Sequence, residues 1–163
     1  MDLNRNPGWR RILGNDTPDL HLKDLEVLLR MFAMLIDGDS YTPSMVKFLN
    51  NFSRRCQRHT KEQNNYLKEL FLSFVQTAQS LPQDAFQGRR AGRFSIALIE
   101  SVFCGIASKA FTERRMLSGT MSADLIQALS DNSEFQEAAT KSSTSTTNVN
   151  KRVSLGKSIL QSL

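Results

Sequence analysis

Residues 22–36 read LKDLEVLLRMFAMLI. Leu25, Leu28, Leu29, Phe32, Leu35 and Ile36 recur at intervals of three and four, which lays apolar side chains along one side of an α-helix. A half-buried strand would alternate with a period of two instead. The stretch therefore predicts an amphipathic helix facing a core, and Gly38, just after Asp37, predicts its end.

The same period continues on both sides. In residues 41–56, YTPSMVKFLNNFSRRC, Thr42 is a candidate N-cap, with Pro43 at the first helical position, where its missing N–H costs nothing. Met45, Phe48, Leu49, Phe52 and Cys56 form the apolar stripe of that helix, and Lys47, Arg54, Arg55 and Arg58 lie largely off it. A capping box at Thr60–Gln63 predicts a third helix carrying Leu67, Leu70, Phe71, Phe74, Val75 and Ala78, halted by Pro82. Residues 94–111, FSIALIESVFCGIASKAF, are apolar on almost every side and predict the central helix of the domain, capped by Ser95.

Ser122 and Ser133 predict the starts of two shorter helices, and Asn148 that of a last one carrying Val149, Val153, Ile159 and Leu160. Before it, residues 140–148 form a polar, Ser/Thr-rich loop. Such a tract buries little apolar surface against its ordering entropy, which favours a linker. The alternative is an anion site, with the N–H groups of residues 150–152 opening a helix beside Lys151 and Arg152. No convincing strand alternation and no internal repeat occurs. The expectation is an all-α fold, one domain over residues 1–163 with about six to eight helices.

Composition narrows the function. Hydrophobic residues make up 40% of the chain, and no run reaches the roughly 20 apolar residues of a membrane span. The opening residues MDLNRNPGWRRILG lack the apolar core of a signal peptide, so a cytoplasmic protein without membrane contact is expected. Cys56 and Cys104 then read as core thiols. The net charge of +5 is compatible with an anionic partner. Its arginines fall in groups: Arg10 and Arg11; Arg54, Arg55 and Arg58; Arg89, Arg90 and Arg93; Arg114 and Arg115; Lys151 and Arg152. The guanidinium fork suits phosphate better than a lysine ammonium does. The loop QDAFQGRRAGR, residues 83–93, could be moulded around something anionic.

Chemistry-bearing motifs are scarce. His21 and His59 belong to no HExxH or CxxC spacing, and Asp37 and Asp39 sit in a turn-like DGDS segment. Neither a GxxxxGK[ST] loop, a GxGxxG turn nor a GxSxG elbow is present. No catalytic residue, metal or cofactor is expected, and the chain reads as no enzyme by itself. A set drawn from Asp37, Asp39, His59 and nearby arginines is the most that catalysis could use. Trp9, Phe52, Tyr41 and Tyr66 could stack on bases, but Phe52 lies on a core stripe and Trp9 sits in the NPGWRRIL segment of residues 6–13, which looks like a docking helix, so core or interdomain packing is the expectation for both.

The succession LNRNPGWRRILG (3–14), KDLEVLLRMFAML (23–35), YTPSMVKFLNNF (41–52) and STTNVNKRV (145–153) resembles the C-terminal helical region of a bacterial family. That family is domain of unknown function 262, which is ParB/sulfiredoxin-like and includes GmrSD-type modification-dependent restriction enzymes. The resemblance is most specific at Glu26, Leu29, Arg30 and Phe32 and at Tyr41, Met45, Lys47, Phe48, Leu49 and Asn50. It implies a two-part protein whose N-terminal domain bears a DGQQR-like motif tied to nucleotide hydrolysis. Residues 36–40, IDGDS, imitate only the start of that motif, and no His-Asn-His module is present. The chain thus looks like a C-terminal or standalone helical domain of a restriction or phage-defence protein. DNA is the expected partner, contacted through Lys47, Arg54, Arg55, Arg58, Arg89, Arg90, Arg93, Asn148, Lys151 and Arg152. The alternative is a docking or dimerisation module for a nucleotide-hydrolysing domain, a partner subunit or a second copy.

Overall fold

The computed structural model describes residues 3–88 and 92–160, and Arg89 and Arg90 lie outside the described residues. The fold is all-α. Its helices are α1 (Pro7–Leu13), α2 (Lys23–Asp37), α3 (Met45–Cys56), α4 (Lys61–Thr77), α5 (Ile96–Thr112), α6 (Ala123–Asp131), α7 (Ser133–Thr140) and α8 (Thr146–Leu160). Among the described residues, the one departure from the expected absence of strands is a two-residue antiparallel pairing, β1 (Gln87–Gly88) with β2 (Arg93–Phe94). It folds the loop before α5 back on itself.

Local signals account for most starts. Thr60 and Gln63 exchange the two hydrogen bonds of a capping box, and the Ser95 and Ser122 hydroxyls accept the amides of Leu98 and Leu125. Two expected caps shift by one or more residues. Asn132, not Ser133, accepts the Phe135 amide at 3.0 Å, and α3 opens after Ser44, two residues beyond Thr42. The αL-tolerant Gly14 closes α1 at φ 65°.

Helix α5 is buried without interruption from Leu98 to Ala107, because other helices cover it on opposite sides. Helix α8 crosses it at backbone contact. A Cβ on Gly156 would lie 2.3 Å from the Ser101 carbonyl oxygen, and one on Gly105 would lie 2.5 Å from the Gly156 oxygen. Only glycine permits that approach.

The apolar interior divides in two around α2. Val27, Leu28 and Met31 join the larger core, where Phe32 sits 5.9 Å from Phe71 and 5.8 Å from Phe103. Ala33 and Met34 instead face a second core with Tyr41, Phe48, Phe52, Cys104 and Val153. This corrects the single expected stripe of α2. Leu25 is 40% exposed, since it lies in the first turn on the flank that the second core covers only from Leu29 onward.

Trp9 is fully buried. Its ring meets Phe71 edge-on at 5.3 Å, and its indole N–H donates to Asn4 Oδ1 at 3.3 Å. The tryptophan thus packs in the core of its own chain, the first of the two packing expectations. No helix among the described residues is long and apolar enough to cross a membrane.

Candidate functional site

The cationic residues fall into two environments. The first is the outside of α3. With Met45, Phe48, Leu49 and Phe52 buried, helical rotation puts Lys47, Asn50, Asn51 and Arg54 on the opposite side, and all four are exposed. Arg58, in the turn after the helix, is exposed too, as is Lys61 at the start of α4. Residues 40–61 contain Lys47, Arg54, Arg55, Arg58 and Lys61 and no Asp or Glu. Arg54 donates to Asn51 Oδ1 at 2.8 Å, which orders the guanidinium along the helix surface. Arg55 turns to the flank and forms an ion pair with Asp37 of α2. Sequence pattern alone had not drawn in Lys61, Asn50 and Asn51, although the acid-free run that joins them is visible once the helix is placed.

The second environment is internal. Arg10 is buried and donates to Asp24 Oδ2 at 2.7 Å. Burial by itself would push the Asp24 carboxyl up, but the amides of Asp19 and Leu25 together with Arg10 and Asn4 hold it down at about 2. Arg11 donates to the carbonyls of Gln79 and Leu81, closing the chain after α4. Deeper still, Glu100 of α5 is fully buried between two arginines. Arg30 of α2 pairs with its Oε2, and Arg152 of α8 reaches its Oε1 at 3.4 Å.

Arg152 departs from its expected place on an outer, DNA-facing surface, because the side chain is fully buried. Its Nη1 donates to the carbonyls of Ala138 at 2.9 Å and Ser143 at 2.8 Å, capping the C-terminal end of α7 from inside. Burial lowers the guanidinium pKa, and Glu100 opposes that effect. Lys151 points the other way and pairs with Glu134 at 2.9 Å.

The Ser/Thr-rich tract is correspondingly neither a slack linker nor an open anion approach. Thr140 belongs to α7 and residues 146–148 to α8, so the connection shrinks to residues 141–145. Asn148 is not the cap of α8. Ser145 Oγ accepts the Asn148 amide at 3.3 Å, and the Asn148 side chain donates back to the Lys141 carbonyl at 2.7 Å. The Tyr41 hydroxyl, from the far side, donates to the Thr144 carbonyl at 2.7 Å. The tract is pinned through its carbonyl oxygens by an arginine, an asparagine and a tyrosine, none of which its own composition could announce.

Of the expected contact residues, the structure thus gathers Lys47, Arg54, Arg55 and Arg58 on or just beyond α3. Arg93 stands apart, exposed in β2, while Asn148, Lys151 and Arg152 are engaged within the chain. Asp37 is taken by Arg55, and among the described residues no three His, Cys, Asp or Glu side chains are placed to hold a metal ion. Both cysteines are unpaired in disulfides, and burial pushes the Cys104 and Cys56 thiols up, away from thiolate chemistry. Compared with known proteins, the chain matches no family model, no curated protein and no solved structure.

Proposed function

We propose that this protein is a non-catalytic helical domain that binds or positions DNA through the outer side of α3, in a restriction or phage-defence type protein. The observation that carries the binding reading is the row Lys47, Asn51 and Arg54, exposed on one side of the acid-free α3 and followed by exposed Arg58 in the turn after it. Cations in such a row can follow a phosphate backbone, and the interleaved Asn50 and Asn51 amides suit either phosphate or base edges. The defence setting rests on the resemblance in sequence alone.

The test is fluorescence anisotropy of labelled duplex and single-stranded DNA across a salt series. The parent chain should bind, with affinity falling steeply as salt rises. Combining Lys47→Ala, Arg54→Ala and Arg58→Ala should reduce the log–log salt slope by about three, roughly one per lost phosphate contact. The melting temperature should stay put. Equal binding by the triple variant, or no binding by the parent, overturns the reading.

A second reading, a docking or dimerisation module, is favoured by Leu20, Leu22 and Leu25. They are 95%, 59% and 40% exposed within six residues of chain, ahead of and in the first turn of α2. Concentration-dependent, salt-tolerant association of a parent chain that ignores DNA would select it.

A further inference from the structure

A cavity of about 430 Å³ opens beside the internal arginine cluster, within the ~300–1,000 Å³ typical of small-molecule sites. Arg30, Arg93 and Arg152 line it, against an apolar wall that includes Phe94, Leu98 and Phe135. None of its lining residues belongs to α3. Among the described residues, Glu100 pairs with Arg30 and Arg152, and three guanidiniums line the site beside that one carboxylate.

The cluster is also incompletely satisfied. Arg152 places its Nη1 on two carbonyls and its Nη2 on Glu100, yet its buried Nε has no hydrogen-bond partner. A guanidinium N–H left unmet inside a protein is costly, and evolution usually satisfies it. Glu100 alone leaves that donor and the exposed Arg93 without an anion.

We infer that this cavity is a binding site for a small organic phosphate monoester, its phosphate set against the arginines and its apolar body against Phe94 and Phe135. A phosphate monoester carries nearly two negative charges at neutral pH, which suits a site where arginines outnumber the paired carboxylate, whereas a carboxylate supplies one. Its several acceptor oxygens can take N–H donors from more than one fork at once. The apolar wall accounts for an organic substituent that inorganic phosphate lacks.

The test is calorimetric titration of the whole chain with phenyl phosphate, inorganic phosphate and benzoate. Phenyl phosphate should bind saturably at one site, with the other two weaker by about tenfold or more, the usual worth of a charge-assisted hydrogen bond or an aromatic contact. Ala139→Phe puts bulk into the cavity from α7, and Arg93→Ala removes an exposed arginine of β2. Each should weaken phenyl phosphate about tenfold or more. Absence of phenyl phosphate binding, or undiminished binding by both variants, overturns the site. Benzoate as tight as phenyl phosphate overturns the phosphate assignment. Loss of binding in the Lys47, Arg54 and Arg58 triple variant overturns the location by moving the anion to α3.

Discussion

The outer side of α3 and the interior around Glu100 use the same residue type in opposite ways. On α3, Lys47, Arg54 and Arg58 stand exposed on a helical segment without an acid, so their charge is directed outward. Around Glu100, Arg30 and Arg152 join α2, α5 and α8, and their charge is directed inward, against Glu100 and the cavity beside it. Proximity in sequence does not separate the two uses. Neighbours on a helix diverge by about 100°, so Arg152 goes inside while Lys151 pairs on the surface with Glu134. Likewise Arg10 is buried on Asp24 while its neighbour Arg11 closes the end of α4. In this chain the pairs at 10–11 and 151–152 each divide into one buried cation and one outside the core. A surface row needs the helical spacing shown by residues 47, 51 and 54.

The sharpest way to break this contrast is to remove Glu100. Glu100→Ala would leave Arg152 buried beside Arg30 with no counter-charge, and deleting one partner of a buried pair costs about 3–5 kcal/mol. Chemical denaturation should show a loss of that size. A loss below about 1 kcal/mol would mean that the two guanidiniums reach water and belong with the outer set after all.

Arg10 and Asp24 test the same interior by pH. The folded Asp24 carboxyl is held at about 2 against an ordinary value of 3.8, so the folded state binds its proton less readily than the unfolded chain does. Its contribution is complete above the unfolded value and is lost as pH falls from about 4 towards 2, amounting to about 2 kcal/mol. Stability measured between pH 5 and 2 should therefore decline, and Asp24→Asn should flatten that part of the curve. An identical decline in the variant would assign the acid sensitivity to other carboxylates.

The sequence carried the helices further than the site. Periodicity exposed α2 to α5, and the caps at Thr60, Ser95 and Ser122 are local chemistry that a single strand of text contains. The displaced predictions involve partners distant in the chain. Leu25 is exposed because a second core ends before it, and residues 141–145 are ordered by Tyr41 and Arg152, separated from Thr144 and Ser143 by 103 and 9 positions. Glu100 stands in a helix read only as apolar on almost every side, and nothing in its neighbourhood in sequence names Arg30, 70 residues away. Trp9 was visible as an anchor, but its partner Phe71 was not.

Arg55 is the smallest and most discriminating case, because it stands between the two classes: 57% exposed, yet paired with Asp37, which is only 13% exposed. An ion pair with one partner in water is screened and contributes no more than about 1 kcal/mol. Arg55→Ala should therefore lower stability by at most that amount in dilute buffer, and by less in 1 M salt, where the screening length falls to about 3 Å. Its effect on the salt dependence of DNA binding should be smaller than that of Arg54→Ala, since Asp37 already neutralises it. Should Arg55→Ala instead cost stability on the scale of Glu100→Ala and ignore salt, the pair would be internal, and the boundary of the exposed cationic row would have to be drawn at Arg54.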